Sequence, residues 1–330
     1  MLFKDKIFGT IEITEPVALE LIQTPQMQRL EKIHQYGVYY LFLPNCATTR
    51  FEHSLGVYWI LKEFGAELKE QLVGLLHDLS HSVFSHVIDY LYDNTASEDY
   101  QDKIHHRFFR NNEISRILER YHINPDDIAD LKNWPLADCP LPNVCADRLQ
   151  YTLADAITIG KIDAALAQKF IQDLFVQSEK FVFKTPRTAL EFAELSLWMC
   201  KNFWHSNWGA YSFFLMVKIL KAALEESIIG QKDLMTDDES MLNKLEDCHQ
   251  PKILNLLETL KNFQKDAVVE DKTDYDVRQI SKMRVIDPWV EVDHQLVRVT
   301  ALFPDFKKGF AAEGQRVSQP RYLKYLKENI

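Results

Sequence analysis

The stretch LLHDLSHSVFSH, from Leu75 to His86, decides how the rest of the chain is interpreted. It contains the adjacent pair His77 and Asp78, and two more histidines follow, at His81 and at the end of the stretch. A helix advances 3.6 residues per turn, so the pattern predicts a helix over residues 70–92 with His77 and His81 on one face. First-row divalent metals accept imidazole and carboxylate ligands, but one helix face cannot surround an ion. The pair therefore predicts half of a metal site.

Two other segments contain candidates for the other half. Upstream, the segment RFEHSLG carries His53, and downstream the segment ADR carries Asp147. Both segments lie on predicted helices of their own, and helix bundles commonly build metal sites from side chains that project inward from several helices. We therefore predict one divalent metal ion bound by His53, His77, Asp78 and Asp147.

Composition and charge narrow the class of protein. The 330 residues are 46% hydrophobic and 26% charged, which is ordinary for a chain that buries a large core. The net charge of −10 disfavours an extensive nucleic-acid surface or an anionic-membrane surface. The five scattered cysteines fit a reducing compartment, and the first ten residues lack the apolar core of a signal peptide. We therefore expect a cytoplasmic protein without a membrane contact.

Helical periodicity along most of the chain predicts a mainly α, nearly all-α fold: a helical bundle with a small carboxy-terminal α+β section. We expect a helical core over residues 1–230. Residues 231–330 would then form a helical segment with a small β-hairpin region.

Four local patterns refine this outline. Residues 1–15 are predicted to be an extended lead-in, and residues 181–183 a small strand. Alternation of apolar residues over 283–303 predicts a hairpin. The acidic run 237–239 is typical of a solvated helix start.

Longer blocks of sequence carry a resemblance to a known family. The segments TPQMQRLEKIHQYGVYYLFLPNCATTRFEHSLGV (24–57) and LLHDLSHSVFSHV (75–87), with ligands in the order H…HD…D, resemble the HD-domain metal-dependent phosphohydrolases. Within that family they look like the deoxynucleoside triphosphate triphosphohydrolases, which include the dGTPases and the enzymes that pair a SAM with an HD domain. The resemblance covers about residues 5–160. It implies an HD-domain helical bundle, one divalent metal (Mn, Fe, Ni, Zn or Mg), homo-oligomers, and cleavage of a deoxynucleoside triphosphate to deoxynucleoside and triphosphate.

The resemblance also implies roles for individual residues. The family's metal ligands match His53, His77, Asp78 and Asp147, and Asp78 would in addition orient the attacking water. The histidines that handle phosphate and proton transfer match His81, His86 and His105, with the adjacent His106 as an alternative to His105. The residues that hold the sugar and phosphates match Gln35, Arg50, Tyr151 and Asp155.

The chain also departs from the family pattern. Ser80 stands where the family has glycine, and Gln23 and Glu31 replace an aspartate and an arginine that the animal enzyme uses for activation by nucleotides. Activation by a guanine nucleotide is therefore in doubt. A basic cluster that grips sugar and phosphates has its nearest counterpart in Trp208-Gly-Ala-Tyr211, without the basic residues. Either the substrate carries fewer phosphates, or the missing charge comes from Lys201, Lys218 or Arg187.

Two other functions stay open. One is a phosphohydrolase of nucleoside monophosphates or other small phosphoesters. The other is a non-catalytic HD module that binds a metal or a nucleotide, which the complete ligand set disfavours. Four histidines have no partner motif and are interpreted as ordinary side chains: His122, His205, His249 and His294.

Overall fold

The computed structural model of the protein describes residues 1–93 and 97–326. The α-helices span Pro16–Ile22, Pro25–Arg29, Arg50–Glu63, Leu68–Leu76, Val87–Leu91, Tyr100–Ile104, Glu113–Arg120, Pro125–Ala129, Ala146–Thr158, Ala164–Gln172, Pro186–Met199, Asn207–Glu225, Asp238–Glu246, Pro251–Lys261, Val299–Leu302 and Pro304–Ser318. Short 3₁₀ turns span Leu30–Lys32, Tyr39–Leu41, His105–Phe109, Leu131–Asn133, Asp233–Met235 and Lys265–Ala267, and a π-helical turn spans Cys200–Trp204.

Strands of the described residues form two small sheets and a hairpin. The hairpin pairs Leu2–Asp5 with Gly9–Glu12. The four-stranded sheet has the order Leu174–Gln177, Lys180–Phe183, Trp289–Val292, Gln295–Arg298, and its central pair is parallel. The three-stranded sheet has the order Val268–Glu270, Arg321–Tyr325, Val277–Gln279. Helices dominate as predicted, but the β section is larger than expected and an all-α description is wrong.

The local predictions have mixed outcomes. The strand at 181–183 lies within Lys180–Phe183, and the alternation over 283–303 contains a hairpin whose strands are Trp289–Val292 and Gln295–Arg298. The extended lead-in is itself a hairpin, because the Asp5 carboxylate accepts hydrogen bonds from two backbone N–H groups of the turn that follows it. Strands of three to five residues contain too few alternations to stand out in a sequence.

The predicted helix over 70–92 is wrong in its middle. The helix ends at Leu76, and helical structure resumes only at Val87. Between them Phe84 and Ser85 adopt positive φ angles of 55° and 51°, which no α-helix contains. The Phe84 N–H donates instead to a carboxylate oxygen of Asp238, 2.6 Å away. This long-range contact stabilises the turn that replaces the helix, so His77 and His81 do not share a helical face.

The helices that carry the predicted ligands pack directly on each other. Helix Arg50–Glu63 contacts both Leu68–Leu76 and Ala146–Thr158. Gly74 permits the first contact, because a Cβ there would lie 2.5 Å from a methyl carbon of Leu61.

The carboxy-terminal part packs on the long helix Asn207–Glu225, which contacts Pro251–Lys261 and the three-stranded sheet. The domain boundary at residue 230 stays a prediction. Among the described helices, none combines the length and the apolar character that crossing a membrane requires.

Candidate functional site

The structure brings the four predicted metal ligands together. His53 Nε2 lies 2.9 Å from Asp147 Oδ1 and 3.2 Å from His77 Nε2. Asp78 adjoins them, with Oδ1 3.4 Å from His77 Nε2 and Oδ2 3.8 Å from His53 Nε2. Side chains from different parts of the chain thus converge on one point, in the arrangement the spacing predicted.

Each ligand is placed by a short-range feature of its own helix. His53 lies one turn into Arg50–Glu63, whose start is fixed by a capping box between Thr49 and Glu52. Asp147 lies in the first turn of Ala146–Thr158. His77 directly follows the last residue of Leu68–Leu76, so His77 and Asp78 lie at the start of the turn after this helix.

Hydrogen bonds at Nδ1 fix which nitrogen of each imidazole is free. His53 Nδ1 lies 2.5 Å from Gln150 Oε1, and His77 Nδ1 lies 2.8 Å from the Gly74 carbonyl oxygen. Both partners are acceptors, so each Nδ1 carries the hydrogen and each Nε2 has a lone pair. Gly56 allows the Gln150 contact, because a Cβ there would lie 2.7 Å from Gln150 Nε2. Metal-binding histidines are typically oriented in this way.

The charges confirm that this donor set suits a cation. Two lone pairs and two carboxylates face one another, which is unfavourable unless a positive charge lies among them. Without a metal, a proton on His77 supplies part of that charge in place of the lone pair: burial opposes protonation of His77, but Asp78 and Asp147 outweigh it and raise the pKa of His77 to about 9. Burial likewise opposes ionisation of Asp78, yet Arg50 and His77 hold its pKa well below the usual range. The residues therefore fit a divalent metal ion.

A cavity of about 190 Å³ opens beside these ligands. Its wall includes six further residues that the sequence predicted for catalysis or binding: Gln35, Arg50, His81, His86, Tyr151 and Asp155. His105 and His53 are buried and are not part of the wall.

Arg50 and His81 contact Asp78, and His86 packs edge-on against His81 with ring centroids 5.2 Å apart. Arg50 Nη1 donates to Asp78 Oδ2 at 3.0 Å, and His81 Nε2 lies 3.1 Å from Asp78 Oδ1. Burial and Arg50 lower the pKa of His81 to about 3, and burial and Arg284 lower the pKa of His86 to about 3. Both imidazoles are therefore neutral at physiological pH in the absence of a ligand.

His105 and His106 are separated by the fold. His105 is buried and its Nδ1 lies 3.1 Å from Ser80 Oγ, whereas His106 is exposed. Ser80, where the family has glycine, is thus the hydrogen-bond partner of His105. His105 thus contacts the turn that follows the HD pair, but it does not line the cavity. Its catalytic role stays a prediction.

Asp155 differs from the free carboxylate that sugar binding requires. Its Oδ1 accepts from the Tyr36 hydroxyl at 2.8 Å and its Oδ2 accepts from Trp204 Nε1 at 2.7 Å. Trp204 also packs edge-on against Tyr151, with ring centroids 5.0 Å apart. Gln35 keeps a side-chain oxygen without a hydrogen-bond partner among the described residues. Gln35 is therefore better placed than Asp155 to accept a bond from a ligand.

The basic residues of the cavity are not the ones the sequence suggested. Lys201, Lys218 and Arg187 are exposed and none lines the cavity. The positive charge comes instead from Arg50 and from three residues without a predicted role: Arg148, Lys282 and Arg284. Two of these lie beyond residue 160, where the resemblance ends, and only the fold shows that they reach the site.

Two buried acids that the sequence analysis missed hold the site together. Asp238, predicted to be solvated, is fully buried and accepts hydrogen bonds from Phe84 N and from the backbone and ring of His34. Glu70, on the helix that ends at His77, accepts from the N–H groups of Leu136 and Ala137, just before the Asp147 helix. Their helical context gave no signal, because buried and exposed acids look alike in one sequence.

Comparison with known proteins agrees with this geometry. The HD domain family matches residues 50–170, which contain all four ligands. The chain belongs to the HD-domain family of metal-dependent phosphohydrolases. Two residues outside the matched segment, Lys282 and Arg284, line the cavity of this HD-domain protein, and a third, Asp238, fixes the turn at Phe84.

Three proteins are similar in sequence to this HD-domain chain, over different shares of its length. It is 33% identical to the uncharacterized protein YdhJ of Bacillus subtilis, over 99% of this chain and 100% of that one. It is 29% identical to the metal-dependent phosphohydrolase cns2 of Cordyceps militaris, over 92% of this chain and 89% of that one. The deoxynucleoside triphosphate triphosphohydrolase SAMHD1 of Gallus gallus is 34% identical, over only 39% of this chain and 25% of that protein.

Proposed function

We propose that this HD-domain phosphohydrolase acts on a nucleotide, and that its first candidate substrate is a deoxynucleoside triphosphate, cleaved to deoxynucleoside and triphosphate. The observation that carries the proposal is the cavity that joins the His/Asp cluster to four cationic side chains, Arg50, Arg148, Lys282 and Arg284. Cations beyond the ligand cluster are what a chain of phosphates requires.

His53, His77, Asp78 and Asp147 would hold one divalent ion. A bound ion would supply a Lewis acid that offsets charge on phosphoryl oxygens and acidifies water. Asp78 accepts from Arg50 and His81, so its carboxylate can orient the attacking water beside a phosphate held by Arg50. The guanidinium has five N–H donors, of which Asp78, Ser85 and the Gln35 carbonyl each accept from one, so donors remain for a phosphate.

The two cavity histidines would move the proton that the leaving oxygen needs. His81 and His86 are neutral without a ligand, because burial and nearby arginines oppose their protonation. A bound phosphate brings negative charge, which opposes the effect of the arginines and favours the imidazolium form. Protonation of His81 or His86 would therefore accompany substrate binding, and the imidazolium would then serve as the general acid.

The second candidate is a nucleoside monophosphate or another small phosphoester, and two observations favour it. The cavity of about 190 Å³ is smaller than the roughly 300–1,000 Å³ of most small-molecule sites. Both carboxylate oxygens of Asp155 are already bonded to Tyr36 and Trp204, so a sugar hydroxyl would have to displace one of them.

A product assay distinguishes the candidates. Purified protein would be analysed for metal content and then supplied with Mn²⁺, Fe²⁺, Ni²⁺, Zn²⁺ or Mg²⁺ and with deoxynucleoside triphosphates, nucleoside monophosphates or small phosphoesters. Release of intact triphosphate is expected for the first candidate, and release of inorganic phosphate alone for the second. Tight nucleotide binding without turnover under every metal would contradict both and would support a non-catalytic module. The native metal and a homo-oligomeric assembly stay predictions of the resemblance.

A further inference from the structure

Three polar side chains of the cavity wall have no place in the HD motif: His205, Lys282 and Arg284. His205 follows the π-helical turn Cys200–Trp204, and the other two precede the strand Trp289–Val292. Short π-helical turns within helical segments frequently occur at functional sites. The three residues come from two distant parts of the chain and meet on a wall outside the matched HD segment.

The side chain of His205 is buried with an unused hydrogen-bonding atom. Only 3% of the residue is exposed, and Nε2 has no hydrogen-bond partner among residues 1–93 and 97–326. Buried polar atoms are nearly always bonded, so an orphaned atom on a cavity wall indicates a partner that comes from outside the chain.

Cys200 determines which hydrogen His205 can offer. Its Sγ lies 3.1 Å from His205 Nδ1, and burial, followed by Glu313, raises the pKa of the thiol to about 12. The sulfur also accepts a hydrogen bond from the backbone N–H of Arg284. The neutral thiol therefore donates its hydrogen to Nδ1, and the imidazole keeps its own hydrogen on Nε2. His205 Nε2 is thus an N–H donor that lacks an acceptor oxygen among the described residues.

The charges nearby favour an anionic acceptor. Burial, then Arg284, Arg321 and Arg316, hold the pKa of His205 well below its usual range, so the ring stays neutral in a positive field. Arg321 bonds to the carbonyl of His205 and to neutral side chains, without a carboxylate partner among the described residues.

The acids that face this wall neutralise only part of the charge. Arg284 forms an ion pair with Glu98, and Arg316 pairs with Glu313. Lys282 makes no hydrogen bond or ion pair within the described part of the chain. Asp102 lies nearby: burial raises the pKa of Asp102, and the Lys282 ammonium partly offsets this rise. A half-buried, unpaired ammonium and an orphaned N–H donor that line the same cavity are a combination that an anionic oxygen group would satisfy.

We propose that Lys282, Arg284 and His205 form an anion subsite that binds a phosphoryl group of the substrate other than the α-phosphoryl group, whose bond to the nucleoside is broken. The subsite rests on the proposed hydrolysis of a nucleoside polyphosphate and names the residues that hold the distal phosphates. Lys282 supplies the mobile charge, Arg284 supplies the N–H groups that Glu98 leaves free, and His205 supplies Nε2–H.

The test measures binding of inorganic triphosphate to the full-length protein as isolated, by calorimetry, at matched metal content. Lys282→Gln is expected to weaken binding about tenfold, and His205→Phe several-fold, because each removes one donor to a charged group. Lys282→Arg keeps the charge and is expected to restore most of the affinity. Lys308→Gln and His294→Phe, at side chains 80% and 99% exposed, serve as matched controls and are expected to bind as the wild type.

The outcomes separate this proposal from the proposed function. Triphosphate binding by Lys282→Gln and His205→Phe at wild-type affinity would overturn the subsite, whatever the enzyme hydrolyses. A Lys282→Gln effect on inorganic phosphate but not on triphosphate would overturn the assignment to distal phosphates. If the variants weaken triphosphate binding and no nucleotide is turned over, the subsite stands and the proposed reaction fails. Circular dichroism of each variant shows whether the fold is retained.

Discussion

The HD segment and the carboxy-terminal section contribute to the site in different ways. Residues 50–170 supply His53, His77, Asp78 and Asp147, the groups proposed to hold a cation. The section from residue 231 onward supplies Asp238, which fixes the turn after the HD pair, and Lys282 and Arg284, which line the cavity. The reacting centre thus comes from one contiguous segment, and the support and the charge of the pocket come from another.

Asp147 from the HD segment and Asp238 from the carboxy-terminal section are the same residue type in two different environments. Both lie in the first turn of a helix, and both carboxylates contact histidine side chains. Asp147 faces two Nε2 atoms that have lone pairs, whereas Asp238 receives hydrogen bonds from three N–H groups of Phe84 and His34. Asp147 therefore needs a cation, and Asp238 is already satisfied. Removal of the first should abolish chemistry, and removal of the second should only impair it.

The largest effect is expected for Asp147→Ala. This variant removes one of the four ligands and leaves the two Nε2 atoms with one fewer negative partner, so metal content should fall close to zero. Phosphohydrolase activity should fall at least a thousandfold, because the metal provides both the Lewis acid and the activated water. Helix content should remain near that of the wild type, as measured by circular dichroism.

Asp305→Ala is the control for Asp147→Ala, because the side chain of Asp305 is 98% exposed and also lies in the first turn of a helix. Metal content and activity of the control should match the wild type. Undiminished activity of Asp147→Ala in metal-replete buffer would show that Asp147 is not part of the site. It would also contradict the proposal that the HD segment supplies all four metal ligands.

A smaller effect is expected for Asp238→Asn. The amide keeps one acceptor but turns an NH₂ group toward N–H donors, which should destabilise the fold by about 1–3 kcal/mol. Asp238 fixes Phe84, and the next residue, Ser85, accepts from Arg50 Nε and donates to the His34 carbonyl. Displacement of this turn should lower kcat about tenfold to hundredfold, because catalysis is sensitive to shifts of a fraction of an ångström.

Metal content separates the two aspartate variants. Asp238→Asn should keep its metal and lose kcat, whereas Asp147→Ala should lose both. Asp237→Asn is the matched control, because Asp237 is the N-cap of the same helix and asparagine caps equally well. A wild-type kcat for Asp238→Asn would show that the turn after the HD pair holds its shape without the carboxy-terminal section.

Sequence reasoning could name four side chains that the fold places together, His53, His77, Asp78 and Asp147, because their order along the chain matches the HD-domain pattern. It failed where one distant side chain decides the structure, as Asp238 does for the turn at Phe84 and Ser85. It also missed Lys282 and Arg284, since nothing in a single sequence shows that residues two hundred positions from the HD pair reach the same cavity. His205 looked ordinary because its orphaned Nε2 is visible only in the fold.

An effect on stability alone, without a loss of metal or kcat, is expected from the ionisation of Asp155, a residue of the HD segment that contacts Trp204 outside it. Burial outweighs the bonds from Trp204 and Tyr36 and raises the pKa of Asp155 from 3.8 to about 6. Because the folded state holds this proton more tightly than the unfolded state, Asp155 contributes stability below about pH 4 and loses it as the pH rises through 6. Relative to Asp155→Asn, the wild type should therefore lose up to about 3 kcal/mol of unfolding free energy between pH 4 and 7. Urea denaturation at each pH measures this, with Asp163→Asn, at an exposed helix N-cap, as the control. A difference that stays constant with pH would mean that Asp155 has the same pKa in the folded and unfolded states, which would contradict the effect assigned to burial.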